Sequence, residues 1–217
     1  MIARHIAALS QGMATIRPEG GDIVGFTTFD DGGVECEVGE LLYGLVRAFK
    51  PRHILETGTR LGHAAAYMAL ALRDNGGGKL TTIEINGSYT QDARVLLGNL
   101  GASDYAECIT GDACQYTPAE PLDMILLDTE LQFRFDDAVR LWPWLRPGGL
   151  LVIHDLCPGM AQVGRGSGGA YGPMPDEMRR WIAEHELQSI HFNTPRGLYV
   201  GQRAAPGFYS TQILGAI

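Results

Sequence analysis

A short apolar run leads through a glycine turn into an alanine-rich segment, and few folds accommodate that succession. The run His53–Glu56 has the composition of a buried strand, and residues 56–62 read Glu-Thr-Gly-Thr-Arg-Leu-Gly. Glycine lets a backbone bend tightly and approach a ligand without the obstruction of a Cβ atom. The helix predicted over Ala64–Arg73 then begins with free backbone amides, which bind anionic groups. We therefore expect this turn to hold the polar end of a ligand.

From about residue 35 onward, short apolar runs alternate with longer segments of helical periodicity. This alternation is typical of an α/β protein with a doubly wound sheet. An amphipathic helix is predicted over Glu37–Phe49, ahead of the first strand, and Pro51 ends it. The predicted strands are His53–Glu56, Leu80–Glu84, Ala106–Thr110, Asp123–Asp128, Gly149–His154, Leu187–Asn193 and Leu198–Gln202, and the helices between them are Ala64–Arg73, Thr90–Leu100 and Phe135–Leu145.

The connection between the last two predicted strands determines their relative direction. Residues 194–197 are too few for a crossover between parallel strands, so these strands must form an antiparallel hairpin. The fold class predicted is therefore α/β, a Rossmann-like doubly wound sheet of seven strands with the last strand antiparallel and helices on both faces. Residues 1–217 are expected to form a single domain, because a chain of this length with 45% hydrophobic residues can bury one core.

Three segments lie outside the regular pattern. Residues 1–34 form an N-terminal extension ahead of the predicted sheet. The stretch Gly159–Pro175 holds six glycines, which predicts a mobile loop after the fifth strand and a candidate lid over a site. Residues 206–217 form an apolar tail, and full exposure of its side chains to water would be unfavourable. We expect this tail to dock on the domain or on a second subunit, as in a homodimer.

Charge and composition exclude several classes of partner. The formal net charge of -8 opposes binding to nucleic acid, which depends on clustered Lys and Arg side chains. The longest apolar run, Ala64–Leu72, is about half of the roughly 20 residues that a membrane span needs. The N-terminus lacks the apolar core of a signal peptide, and the four cysteines lack the spacing of a zinc or redox motif. A cytoplasmic protein that binds neither membrane nor nucleic acid is expected.

Acidic residues end further predicted strands. Glu84 ends the second strand, 28 residues after Glu56, where a carboxylate can accept hydrogen bonds from both hydroxyls of a ribose. Asp112 follows the third strand, and Asp128 ends the fourth. Because open α/β sheets bind their ligands at the carboxyl ends of the strands, these side chains are expected to share one site. The spacing predicts a cofactor that contains a nucleoside.

Between Glu35 and Arg203 the chain resembles the class I S-adenosylmethionine-dependent methyltransferases, in particular the catechol O-methyltransferase-like and antibiotic-tailoring O-methyltransferases. Residues 55–63, Leu-Glu-Thr-Gly-Thr-Arg-Leu-Gly-His, resemble that family's cofactor loop, and residues 145–152, Leu-Arg-Pro-Gly-Gly-Leu-Leu-Val, resemble its segment leading into strand five. The resemblance implies a transferase that uses S-adenosylmethionine to methylate a small-molecule acceptor, namely a phenol, catechol or natural-product hydroxyl. The cofactor-binding residues that it implies are Glu56, Gly58, Thr59 and Gly62 at the methionine end, Glu84 at the ribose, Asp112 and Ala113 at the adenine, and Asp128.

The resemblance carries over less completely to a metal site. Metal-dependent members hold Mg²⁺ on an Asp at the end of strand four and an Asp-Asn pair after strand five, so that the ion lowers the pKa of a substrate hydroxyl. Asp128 and Asp155 match the two aspartates, but Leu156 stands in place of the Asn. Leu131 stands where a lysine is expected, while Glu130 offers a replacement oxygen ligand. A Mg²⁺ site and a metal-free site therefore both stay open.

His154 gains a role if no metal is bound. Its reference pKa of about 6.5 leaves it largely neutral at physiological pH, as a general base requires. Neighbouring side chains on a strand point to opposite faces, so His154 and Asp155 both reach the site only if the strand has ended there. The catalytic residues predicted are Asp128, His154 and Asp155.

Two alternative functions remain open from the sequence. A nicotinamide-dependent oxidoreductase also uses a glycine turn and a ribose-binding acid, but the GxGxxG spacing is missing because only Gly58 and Gly62 are present. A non-catalytic protein that kept the methyltransferase fold is the second alternative, and the substitutions at Leu131 and Leu156 favour it. Fold alone does not fix the acceptor.

Overall fold

The computed structural model describes residues 14–16, 26–29, 33–158, 164–166 and 169–205. The helices are α1 (Cys36–Phe49), α2 (His63–Asn75), α3 (Gly87–Asn99), α4 (Arg134–Leu141) and α5 (Asp176–Glu184), with short 3-10 helices at Ser103–Tyr105, Ala113–Gln115, Leu131–Phe133 and Trp142–Trp144. The strands are β1 (Ala14–Ile16), β2 (Phe26–Thr28), β3 (His53–Thr57), β4 (Lys79–Glu84), β5 (Ala106–Thr110), β6 (Leu122–Leu127), β7 (Leu145–His154), β8 (Leu156–Cys157), β9 (Gly164–Gly166), β10 (Gly169–Pro173), β11 (Gln188–Phe192) and β12 (Leu198–Gln202).

The main sheet has seven strands in the order β11-β12-β7-β6-β3-β4-β5. Strand β12 runs antiparallel to both of its neighbours, and the pairs among β3, β4, β5, β6 and β7 are all parallel. The predicted Rossmann-like sheet with an antiparallel last strand is therefore confirmed. The strand order reverses next to β3, so the crevice that binds ligands in such sheets lies at the carboxyl ends of β3 and β6.

Helices cover both faces of the sheet, as predicted. Side chains at alternating strand positions enter two separate cores, as Ile54 and Leu55 on β3 illustrate. Ile54 packs with residues of α1, α2 and α3, including Leu42 and Met68. Leu55 packs on the opposite side with residues of α4 and α5, such as Leu141. Because the sheet is covered on both sides, its open rim at the strand ends is the available place for a ligand.

Some predicted boundaries were wrong. The helix predicted over Phe135–Leu145 ends at Leu141, because Trp142–Trp144 forms a 3-10 turn with a proline at its start. Strand β7 then begins at Leu145 rather than Gly149. The connection from β5 to β6 contains no α-helix, only the 3-10 turn Ala113–Gln115. This connection lies at the rim where the site forms.

The glycine-rich stretch Gly159–Pro175 is not simply irregular. It contains β9 and β10, which pair antiparallel, and β10 also pairs with β8 in a small three-stranded sheet. Residues 159–163 and 167–168 of this stretch lie outside the described residues, so its role as a lid stays a prediction.

The ends of the chain are described only in part. Within the N-terminal extension, β1 pairs antiparallel with β2, and Thr28 forms an isolated bridge with Glu35. The apolar tail at residues 206–217 lies outside the described residues, and its docking stays a prediction. None of the helices that the structure describes combines the length and apolarity that crossing a bilayer requires.

Candidate active site

A cavity of about 490 Å³ opens at the carboxyl ends of the parallel strands. Its walls include the five acidic residues that the sequence placed at strand ends and the small residues of the glycine turn. Gly62 and His154 are not among the residues that line it. The predicted site residues that line the cavity are Glu56, Gly58, Thr59, Glu84, Asp112, Ala113, Asp128, Glu130 and Asp155.

The glycine turn has a backbone that only glycine adopts easily. Gly58 has a φ of 86° and Gly62 a φ of 85°, both in the left-handed region. The amide of Gly58 donates to the carbonyl of Ile83 on β4 at 2.9 Å. A Cβ atom at Gly58 would overlap the backbone carbonyl of Asp128, and one at Gly62 would lie 2.8 Å from the Cβ of Ala93. The turn is therefore packed directly between β4, the end of β6 and α3.

Glu56 is a completely buried acid with an unusual environment. Its Oε2 accepts a hydrogen bond of 2.5 Å from the hydroxyl of Thr82, which also lies in hydrogen-bond contact with Thr59. Its Oε1 has no partner within the part of the chain that the structure describes. Burial, reinforced by the negative charges of Asp128 and Glu84, raises the pKa of Glu56 to about 8. The cavity wall thus contains a buried carboxyl group that has no positive partner among the described residues.

Glu84 is fixed at the rim by two backbone amides. Its Oε2 accepts from the amide of Arg60 at 2.7 Å, and its Oε1 accepts from the amide of Asn86 at 2.9 Å. Each carboxylate oxygen can accept further hydrogen bonds. Ile85, the next residue, is 73% exposed although it lines the cavity. A rigid acceptor therefore lies next to an uncovered apolar side chain.

Asp112 organises the loop at the far end of the cavity. Its Oδ1 accepts from the amide of Cys114 at 2.9 Å, so it caps the short turn Ala113–Gln115. Arg140 on α4 donates to the carbonyls of Ala113 and Tyr116, at 2.9 and 2.5 Å. These bonds hold the loop against the sheet and leave the small side chain of Ala113 at the cavity wall.

Asp128 and Asp155 are bridged by an arginine that the sequence analysis did not identify. The Nη2 of Arg134 lies 3.2 Å from Asp128 Oδ1 and 2.8 Å from Asp155 Oδ2. The Nη1 of the same guanidinium donates to the carbonyl of His154 at 2.5 Å. Burial opposes the charge of Asp155, but His154, Arg134 and Arg196 outweigh it and lower the pKa of Asp155 to about 2.

His154 lies beneath these acids and is enclosed. Strand β7 ends at His154, and Asp155 turns back with a φ of 60°, so both side chains reach the same region. The Nδ1 of His154 is 3.0 Å from Asp128 Oδ1, and its Nε2 is 2.7 Å from Glu35 Oε2. Burial alone would lower the pKa of His154, but the charges of Asp155, Asp128 and Glu35 raise it to about 10. It is therefore an imidazolium at neutral pH.

The sequence analysis missed three residues of this network, namely Glu35, Arg134 and Arg196. Glu35 is completely buried, and burial opposes its ionisation, but the charges of His154 and Arg196 outweigh this effect and lower the pKa of Glu35. Arg196, in the turn between β11 and β12, has its Nε 3.4 Å from Asp155 Oδ1 and donates to the carbonyl of Gly33. These residues lie far apart in sequence and belong to no local motif, so no spacing could have indicated them.

Residues 55–156 match the family described as "Methyltransferase domain". Catechol O-methyltransferase from Niastella koreensis is 32% identical over 127 residues, which are 54% of this chain and 55% of that protein. Catechol O-methyltransferase from Mycobacterium tuberculosis is 26% identical over 58% of this chain and 58% of its own length. The chain thus spans little more than half the length of these curated relatives.

Solved structures show the same fold. The O-methyltransferase TomG from Streptomyces achromogenes, in complex with S-adenosylmethionine, has a TM-score of 0.60 and 22% identity, covering 80% of this chain and 82% of its own. At this identity the likeness establishes the fold alone, and the family model adds a sequence match over residues 55–156. Residues 55–156 therefore match a methyltransferase domain, and the seven-stranded sheet has the fold of the solved O-methyltransferases to which the chain is similar.

Proposed function

We propose that this protein transfers the methyl group of S-adenosylmethionine to a hydroxyl of a small molecule. The observation that carries the proposal is the convergence of Glu56, Glu84, Asp112, Asp128 and Asp155 on one cavity at the carboxyl ends of five parallel strands. A cavity of about 490 Å³ is within the range of small-molecule and cofactor sites. The family match supports the reaction type.

The cofactor fits the polar groups of the cavity one by one. The unpartnered Oε1 of Glu56 is placed to accept the amino group of the methionine end, beside Gly58 and Thr59. The fixed carboxylate of Glu84 accepts from the ribose hydroxyls, and the exposed side chain of Ile85 offers an apolar surface to the adenine. The small Ala113, in the loop that Asp112 caps, leaves room for that ring.

In the transfer, the acceptor oxygen attacks the methyl carbon, the carbon–sulfur bond breaks, and S-adenosylhomocysteine leaves as the hydroxyl proton passes to a base. We assign the base role to Glu130, which lines the cavity and forms no ion pair among the described residues. His154 is unsuited to this step because both of its nitrogens face carboxylates and its side chain is 1% exposed. It instead positions Asp128.

Magnesium is the second cofactor that the resemblance implies, and the residues do not fit it. Oxygen or nitrogen atoms of Asp128, His154 and Asp155 lie within 4.8 Å of one another, which is compatible with a metal site. However, the guanidinium of Arg134 already lies against both aspartates, and Leu156 is fully buried where a third oxygen ligand would be needed. No step of the proposed reaction is therefore routed through a metal.

The proposal also includes a cytoplasmic location and a homodimer that covers the apolar residues 206–217. The apolar composition of that segment supports the second point. The nicotinamide-dependent oxidoreductase receives no support from the family match or from the related structures.

Removal of the ribose acceptor provides the test of the cofactor site. We expect calorimetry to show that S-adenosylhomocysteine binds the wild type and binds Glu84→Ala about 100-fold more weakly, because hydrogen bonds to a charged acceptor contribute about 1.5–3 kcal/mol each. Glu107→Ala is the matched control, since Glu107 is an exposed strand acid that pairs with Lys79 at 2.6 Å. Equal affinity in the wild type and Glu84→Ala would refute the ribose assignment.

The base assignment predicts a separate effect on turnover. With the best acceptor from a panel of phenols, catechols and sugars, Glu130→Gln should lower kcat about 100-fold, as expected for loss of a general base. The affinity for S-adenosylhomocysteine should stay within about twofold, because Glu130 lies at the acceptor end of the proposed site. An unchanged kcat contradicts the assignment, and binding without any turnover across the panel would indicate a non-catalytic member of the family.

A further inference from the structure

Arg134 holds an unusual position for an arginine. It is the first residue of α4, it is only 2% exposed, and it nevertheless lines the cavity. Its Nη2 contacts a carboxylate oxygen of Asp128 and one of Asp155, at 3.2 and 2.8 Å. These are the two aspartates that the family resemblance assigns to a divalent ion. One guanidinium nitrogen therefore lies between both of the aspartates that a metal would need.

The rest of the network completes the charge balance. Arg196 lies 3.4 Å from the second oxygen of Asp155 and 3.9 Å from Glu35. His154 bridges Glu35 and Asp128. Three buried or nearly buried carboxylates thus meet two guanidiniums and one imidazole. Buried charges are tolerated only when they are paired, and this pairing is achieved by side chains of the chain itself.

A divalent ion would have to displace this arrangement. Mg²⁺ requires close to six oxygen ligands at about 2.0–2.1 Å in octahedral geometry. Its entry between Asp128 and Asp155 would place a double positive charge against the permanently charged guanidinium of Arg134, which is only 2% exposed. Leu156 offers no oxygen side chain in compensation.

We infer that the guanidinium of Arg134 is the built-in cation of the acceptor site and takes the place of a divalent metal, so that methyl transfer here is metal-independent. The inference deepens the proposed function and rests on it. A divalent ion binds two adjacent oxygens of a catechol at once, whereas a guanidinium already held by two aspartates does not. The acceptor class that follows is a molecule with a single reactive hydroxyl, for which a neighbouring second hydroxyl gives no advantage.

Metal binding by arginine variants tests this inference without any acceptor. Electron paramagnetic resonance with Mn²⁺ as the probe should detect no specific binding to the wild type. In Arg134→Met it should detect one specific site, with an affinity at least about tenfold above that of the nonspecific binding to the wild type. Arg134→Lys keeps the positive charge and should behave like the wild type. Arg134→Gln is the second neutral variant if the methionine variant does not fold. Adding Asp128→Asn to either neutral variant should abolish the new site.

The outcomes separate this inference from the proposed function. A specific Mn²⁺ site in the wild type that Asp128→Asn removes would overturn the inference. Absence of Mn²⁺ binding in a folded neutral variant would also overturn it, because the aspartates would then not form a metal position. Failure of S-adenosylhomocysteine to bind the wild type would instead refute the proposed function. As a check on the acceptor class, single phenols should be methylated at least as fast as the matching catechols, with or without a chelator.

Discussion

Glu56→Gln should make the unliganded protein more stable at alkaline pH while it greatly weakens cofactor binding. Glu56 is completely buried without a positive partner, and its pKa is raised to about 8 in the folded protein. In the unfolded chain this carboxyl group has its ordinary pKa of 4.5. Folding therefore opposes ionisation of this group. The stability present below about pH 4.5 is progressively lost as the pH rises through about 8.

The size of the stability effect follows from that window. At pH 9 the wild type must keep Glu56 either buried as a carboxylate or protonated well above its unfolded pKa, and the penalty is on the order of 5 kcal/mol. Glutamine has nearly the same shape and accepts the hydrogen bond from Thr82, but it never ionises. We expect the Tm of Glu56→Gln to exceed that of the wild type by roughly 10–20 °C at pH 9, and the difference to shrink to a few degrees near pH 5.

The same substitution removes the proposed partner of the cofactor's amino group. A glutamine amide oxygen can still accept a hydrogen bond from an ammonium but carries no opposite charge, and a buried hydrogen bond between charged groups contributes about 3 kcal/mol or more. The affinity for S-adenosylhomocysteine should therefore fall at least about 100-fold. A gain in stability with a loss of binding is a signature that general misfolding cannot produce.

Thermal unfolding between pH 5 and 9, combined with calorimetry, measures both effects. Glu107→Gln is the control, because this exposed residue forms only a surface ion pair with Lys79, and its Tm difference should stay small at every pH. A Tm difference for Glu56→Gln that does not grow with pH would contradict the prediction, because it would show that ionisation of the buried Glu56 carboxyl group does not destabilise the folded protein.

The convergence of the residues proposed to bind the cofactor could be predicted because strand topology brings them to one cavity. In a parallel sheet the carboxyl ends of neighbouring strands meet at one edge, so Glu56, Glu84 and Asp112 come together whatever the loops do. The positions of these three residues could be predicted from the strand ends and the glycine turn alone. The bounds of β5 and β12 were also predicted correctly, because Ala106–Thr110 and Leu198–Gln202 are short runs between clear breaks.

The acceptor half could not be predicted to the same depth. Arg134 and Arg196 reach Asp155 from a helix start and from a hairpin turn, and Glu35 reaches His154 across 119 positions of sequence. Such contacts depend on how the elements pack, which hydrophobic periodicity does not encode. Strand β7 ends at His154 and Asp155 adopts a φ of 60° beyond it, a bend that the sequence left open, and Asp155 lines the cavity while His154 does not.

The small sheet within Gly159–Pro175 was missed for a different reason. Strand pairing there involves β8, β9 and β10, and half of the residues of β9 and β10 are glycine. Glycine has no side chain, so such strands show no alternation of apolar and polar residues. Backbone hydrogen bonds can still pair such strands, but this pairing leaves no pattern of side chains from which it could be predicted.

Gly58→Ala should be the most damaging single substitution in the cofactor turn. An alanine at a φ of 86° is strained, and its Cβ would overlap the carbonyl of Asp128 at the end of β6. That carbonyl belongs to the residue directly after β6, and the amide of the same residue donates to the carbonyl of Thr57 on β3 at 2.9 Å, so it cannot shift without disturbing this contact. We expect destabilisation on the order of 3 kcal/mol, or a Tm lowered by roughly 6–12 °C.

Gly44→Ala is the matched control for that loss. Gly44 lies exposed within α1, and a Cβ there meets nothing within 4 Å, so alanine should stabilise the helix by about 0.5–1 kcal/mol. Opposite signs at the two glycines would show that the turn, and not glycine replacement in general, is the sensitive element. Since the Gly58 clash moves Asp128 relative to the turn, binding of S-adenosylhomocysteine to folded Gly58→Ala should also weaken more than tenfold. A variant with wild-type Tm and affinity would mean that the turn relaxes freely, and the close contact between the cofactor loop and Asp128 would then have no role in shaping the site.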